Sequence, residues 1–81
     1  MAKAKKLKII EKKLGRQSAW GLYDNNLIEI DPRQTSKRYL DTCIHELLHH
    51  VDPTLSESKV SKIAGIIANG LWQQNFRRIM R

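Results

Sequence analysis

Residues 45–57 read HELLHHVDPTLSE. Two histidines four apart, His45 and His49, with Glu46 after the first, are residue types that can hold a divalent metal and act on a water beside it. A helix turns about 100° per residue, so positions i and i+4 project together, one turn apart. Two imidazole nitrogens can then approach one Zn²⁺ at about 2.0 to 2.1 Å, while Glu46, rotated by one residue, reaches a water at the metal without ligating it. The chemistry such a group can support is metal-assisted hydrolysis, with Glu46 accepting the water proton. The plain alternative is the polar side of an amphipathic helix. Apolar residues at the variable positions Leu47 and Leu48, two apparent strands upstream and no charge over residues 42–45 favour the metal.

A catalytic zinc takes three protein ligands and keeps a position for water, so a third donor is needed. His50 is the one other histidine, but it is turned about 100° from His49 and is expected to pack or titrate at the rim. Asp52 is near in sequence yet displaced in angle at the helix end. Glu57 falls in the first turn of a following helix, and the intervening reversal can bring it beneath the metal. It also has a competing use: Thr54-Leu55-Ser56-Glu57 fits a capping box in which Glu57 bonds back to the Thr54 amide, a cap worth roughly 0.5 to 2 kcal/mol. Of these Glu57 leads and Asp52 trails, while another arrangement, one without a third protein ligand, and the cap stay open.

The elements that must position these residues follow from periodicity and turn chemistry. Residues 6–14, KLKIIEKKL, read as a strand that Gly15 ends. AWGLYD, residues 19–24, and LIEID, residues 27–31, are strand-forming runs separated by Asn25 and Asn26, which tolerate the positive φ of a tight hairpin. The expected sheet is three-stranded and antiparallel. Pro32 closes the last strand, and Thr35 or Ser36 can cap a helix running to about Val51, before Asp52-Pro53. Leu40, Ile44, Leu47 and Val51 would share one side of it, opposite His45 and His49. A second helix is expected from Thr54–Ser56 to about Arg78, with Val60, Ile63, Ala64, Ile67, Leu71 and Trp72 as its apolar stripe. Gly65, Ala68 and Gly70 would allow close approach, and Arg77 and Arg78 would suit the negative end of its dipole. The fold class is α+β, a sheet followed by two helices, in one domain over residues 1–81 with residues 1–5 frayed.

The composition bounds the rest. A chain of 81 residues with formal charge +7 and a pI near 9.9 predicts one small domain with a limited core. A bound metal could add rigidity. The lone Cys43 cannot close an internal disulfide, and no signal-peptide or membrane-spanning run is present, so a cytoplasmic protein without a membrane partner is expected. Residues 1–16 carry seven Lys/Arg against one acid, residues 17–54 three against six, and residues 55–81 five against one. Basic ends admit a nucleic acid or other polyanion as partner, although a solvated lysine-rich surface explains them as simply. Oligomeric state is left open.

At this point the chain resembles the zincin metallopeptidases, in which an HExxH helix supplies two zinc ligands and a catalytic glutamate. The pattern W-G-L-Y, four residues, then I-E-I, from Trp20 to Ile30, looks like the two strands before that helix in the SprT-like and ImmA/IrrE-like branches. The segment E-S-K-V-S-K-I-A, residues 57–64, is similar to the glutamate-bearing helix of gluzincins, and the small size to the minigluzincins. Compact versions of this kind are familiar among phage-encoded proteins. The resemblance implies a zinc-dependent peptidase acting on a protein or peptide, with His45, His49 and Glu57 as metal ligands and Glu46 as catalytic base. It also implies a substrate laid along a hairpin strand within residues 19–31. Two features depart from the pattern. The interval from His49 to Glu57 is shorter than in many gluzincins, and no histidine after residue 50 could serve as the SprT-like third ligand.

Several residues have lesser expected parts. Tyr23 or Tyr39 could donate to a developing oxyanion or simply pack. Asp41 could orient His45 or pair with Lys37 or Arg38. Cys43 is expected to be a buried packing residue, and Trp20, Trp72 and Phe76 core or helix anchors. The second functional reading is a basic, zinc-stabilised binding or regulatory module with little or no catalysis.

Overall fold

Asn25 (φ 49°) and Asn26 (φ 65°) both sit in the left-handed region, as a two-residue turn between twisted strands demands. They join β2 (Gly21–Asp24) to β3 (Leu27–Ile30), antiparallel, with Tyr23 opposite Ile28 and Gly21 opposite Ile30. The computed structural model describes residues 6–15 and 19–79. The frayed start expected over residues 1–5 lies outside the described residues. β1 (Lys8–Glu11) pairs with the far side of β3, giving the order β1-β3-β2.

That order corrects the expected antiparallel sheet: β1 runs parallel to β3, with Ile9 opposite Ile28. The hairpin fixes the sense of β2 against β3 locally, but the long connection from β1 to β2 leaves the third pairing to burial. Ile28 and Ile30 of β3 are fully buried, so the most apolar strand takes the centre and the lysine-flanked β1 an edge. β1 is also shorter than expected. The Lys12 amide still bonds to the Ile30 carbonyl at 3.0 Å, but the Leu14 amide turns to the Asp31 carboxylate, also at 3.0 Å, and Gly15 adopts a positive φ of 53°.

α1 (Ser36–Val51) is capped by Thr35, whose hydroxyl accepts from the Arg38 amide. Its sheet-facing stripe is Tyr39, Cys43 and Leu47, packed with Leu7 and Tyr23 around Ile28 and Ile30. Relative to the expected stripe the helix is rotated, and Val51 is 75% exposed. α2 (Glu57–Gln73) packs on α1 and on no other helix or strand among the described residues. Val60, Ala64 and Ala68, spaced by four, are its buried residues, and the full burial of Val60 contributes roughly 1.5 to 3 kcal/mol. The small side chains at this contact are alanines: a Cβ at Gly65 or Gly70 would meet nothing within 4 Å.

α2 stops before the expected Arg78. Asn75 takes φ 66°, and the Asn75 and Phe76 amides bond back to the Trp72 and Leu71 carbonyls at 3.0 Å, a left-handed asparagine termination that satisfies the last carbonyls. Arg77 donates to the Trp72 carbonyl and stacks 3.8 Å above the Trp72 ring. Arg78 does not serve the helix end. It pairs with Glu11 and lies over the Tyr39 ring, strapping the segment after α2 across β1 and α1. Trp20 and Phe76 stay exposed rather than anchoring a core. No helix among the described residues is long and apolar enough to cross a membrane.

Candidate metal centre

The segment after α1 reverses on Asp52. Its carboxylate accepts from the Thr54 amide at 3.1 Å and hydroxyl at 2.5 Å, and its carbonyl from the Leu55 amide at 3.2 Å. These bonds from Thr54, both to one oxygen, hold the Asp52 carboxyl below the usual range, and Asp52 is not among the donors that converge with the two histidines. Ser56, and not Thr54, caps α2, accepting from the Lys59 amide at 3.2 Å. The alternative Thr54–Glu57 capping box therefore does not form, and the first side chain of α2 is left to face α1.

That side chain is Glu57. Its Oε1 lies 2.5 Å from His49 Nε2 and its Oε2 lies 3.3 Å from His45 Nε2. The two imidazole rings, one helical turn apart on α1, have centroids 5.0 Å apart. Ligand atoms of all three residues fall within 4.8 Å of one another, and the group could hold a metal ion. The two rings meet different oxygens of the Glu57 carboxylate, so a small turn of that side chain would set one oxygen between them as a single donor. Two imidazoles and a carboxylate, converging from two helices, are a donor set that zinc accepts.

Glu46 stands beside this group. It is 7% exposed, and burial pushes its carboxyl above the usual range, with His45 and His49 opposing the shift and Glu57 adding to it. Among the described residues it has no hydrogen-bond partner, yet no buried side-chain oxygen lacks one. Its carboxylate oxygens are therefore open to the adjoining cavity. This cavity of about 600 Å³ is walled on one side by residues 20–23, on the other by α1 from Asp41 to His49, and closed by Pro53 and Glu57.

The other residues singled out from sequence are engaged elsewhere or stand apart. His50 points away, as expected, its Nδ1 3.0 Å from the Tyr23 hydroxyl. The Tyr39 hydroxyl donates to Glu11 at 2.8 Å, and burial together with that bond pushes it up to about 12. Its committed bond to Glu11 removes Tyr39 as an oxyanion donor. Asp41 lines the cavity without bonding His45, Lys37 or Arg38. Cys43 is half-buried against the core and its thiol is pushed up by burial.

Three residues that sequence reasoning passed over shape the site. A Cβ at Gly21 would stand 2.6 Å from Thr42 Cγ2 and 3.0 Å from Glu46 Cγ, so only glycine lets β2 lie this close to the helix. Buried Gln34 donates to the Trp20 and Asp31 carbonyls at 3.2 and 2.7 Å and accepts from Thr42 Oγ1 at 2.8 Å. It ties the start of β2 to α1. Buried Asp31 accepts from the amides of Leu14 and Arg33 and from the Arg33 guanidinium. The signal for this corner was the Asp31-Pro32 pair, a turn-initiating combination after a strand.

Compared with known proteins, the chain matches no family model, and no curated protein and no solved structure is significantly similar to it.

Proposed function

We propose that the chain is a minimal zinc-dependent peptidase, hydrolysing peptide bonds in a protein or peptide, with Glu46 as general base. The observation that carries this reading is the convergence of His45, His49 and Glu57 next to a buried, cavity-lining Glu46. A zinc ion held by the three donors would supply Lewis acidity, lowering the pKa of a water and polarising a carbonyl.

The chain's own residues account for the remaining steps. Glu46 takes one proton from the water as its oxygen bonds to the carbonyl carbon, then delivers that proton to the amine as the C–N bond breaks. Among the described residues β2 pairs with β3 on one side only, and it borders the cavity. Its outer edge offers unpaired backbone groups to an extended peptide.

The test is zinc stoichiometry and cleavage on the same samples. Wild type is expected to bind about one zinc per chain and to cut peptides. Glu46→Gln should keep the zinc and lose cleavage. Equal cleavage by Glu46→Gln, or no metal bound near neutral pH, would sink the reading.

A further inference from the structure

Beyond the metal donors the cleft continues. A second hollow of about 460 Å³ adjoins the first, sharing Trp20, Asp41 and Thr42, and is completed by Thr35, Lys37 and Arg38. The Arg38 guanidinium carbon lies 5.4 Å from the centroid of the Trp20 ring, a cation–π arrangement that fixes the charge at the groove mouth. Among the described residues neither Lys37 nor Arg38 has an ion-pair partner. Two cations, one of them held on an aromatic ring, thus outnumber the one carboxylate of that hollow, Asp41, and pair with no acid among the described residues, while the near end of the cleft carries Glu46 and Glu57.

Contacts along the cleft advance in step on both walls: Trp20 meets Arg38, Gly21 meets Thr42 and Glu46, and Tyr23 meets His50. An extended chain on the free edge of β2 would therefore run alongside α1. From His45 back to Arg38 is seven residues, roughly 10 Å at the helical rise of about 1.5 Å per residue. Extended peptide advances about 3.4 Å per residue, so this span is about three residues.

We propose that Lys37 and Arg38 read a carboxylate of the substrate about three residues from the bond that is cut. This assignment rests on the peptidase reading above and names the substrate class of that site. The carboxylate can be an aspartate or glutamate side chain or the substrate's own C-terminus. A nucleic acid fits less well, because its successive phosphates would run on from the cations to the carboxylates of Glu46 and Glu57, whereas a peptide need bring only one carboxylate.

The probes are synthetic peptides of neutral sequence carrying one glutamate, one glutamine or one lysine at a scanned position, each made with an amidated and with a free C-terminus. Binding is read by fluorescence anisotropy on zinc-loaded Glu46→Gln, and cleavage by mass spectrometry on wild type. Glutamate peptides are expected to bind and be cut about three- to tenfold better than glutamine peptides, the range of a few exposed or half-exposed ion pairs. The cut should fall about three residues from the acid. Lys37→Glu/Arg38→Glu should reverse the preference towards lysine, and acids in the first helical turn suit the helix dipole, so this variant keeps its fold. A preference carried only by the free C-terminus also supports the assignment and identifies the chain end as the source.

Cleavage with glutamate and glutamine treated alike would overturn the assignment and leave the peptidase reading standing. Capture of glutamate peptides by Glu46→Gln, with no cutting by wild type, would keep the carboxylate site and remove the peptidase. No binding and no cleavage would remove both. Displacement of bound peptide by a single-stranded DNA oligonucleotide at lower concentration than unlabelled peptide would overturn the assignment in favour of a nucleic-acid groove.

Discussion

Gly21 and Glu46 stand so close that a methyl group cannot be placed between them: a Cβ at position 21 would lie 3.0 Å from Glu46 Cγ and 2.6 Å from the methyl of Thr42. Gly21→Ala must push β2 away from α1 or move Glu46. Overpacking of this kind costs about 1 to 3 kcal/mol, and each kcal/mol lowers Tm by about 4 to 8 °C in a domain of this size. Thermal denaturation is expected to show that drop. Thr42→Ser, which removes the clashing methyl but keeps the hydroxyl that bonds Gln34, should recover part of it.

Metal affinity separates donors from neighbours. Groups that merely orient a ligand are worth about 10- to 100-fold in affinity. Replacing a donor, in His45→Ala, His49→Ala or Glu57→Gln, is therefore expected to weaken zinc binding by more than about 100-fold by calorimetry. Ser56→Ala, which removes the cap of α2 but no donor, should lower stability by about 0.5 to 2 kcal/mol with zinc retained.

Zinc should also stabilise the fold. Free zinc at about 100 times its dissociation constant adds about 2.7 kcal/mol. A chelator is expected to lower Tm in wild type and to leave His49→Ala unmoved, a difference that scanning calorimetry reads directly.

Acid sensitivity should report on Asp31. Hydrogen bonds from the Arg33 side chain, aided by the Arg33 and Leu14 amides and opposed by burial, hold its carboxyl well below the usual range. The unfolded chain takes up this proton near pH 3.9 and the folded chain only at lower pH, so the ionised form favours the fold. Its contribution is complete well above about pH 4 and is lost as pH falls through the depressed folded value. Asp31→Asn should be less stable than wild type at pH 7, with the gap narrowing steadily below about pH 4.

Cys43 should behave as an inert thiol. It packs half-buried against the core and burial disfavours its thiolate. Its reaction with a disulfide reagent near pH 8 should be more than about tenfold slower in the folded protein than in denaturant.

Much of this arrangement was legible from short-range patterns. The asparagine pair gave the hairpin, Thr35 the start of α1, and the four-residue spacing of His45 and His49 their convergence, because each depends on neighbours within a turn or two. What was illegible depends on distant partners. The parallel pairing of β1 is decided by which strand buries Ile28 and Ile30. The rotation of α1 is set by the sheet beneath it, which exposes Val51 and buries Glu46. Competition between caps is also a tertiary matter: Thr54 and Ser56 both suit the start of α2, and Asp52 settles the choice by engaging Thr54. Asn75 did carry a readable signal for the end of α2, since asparagine is the residue after glycine that most readily takes the left-handed conformation.

All three donors lie between residues 45 and 57, in a helical hairpin closed at Asp52, whereas the strand bordering the cleft comes from residues 21–24. Bringing the donors together closes a short loop, and docking the strand a longer one. Convergence of the three side chains would thus come early in folding and the sheet would seat later. A chain halted between those events would hold the three together yet have no rail along which a peptide could lie.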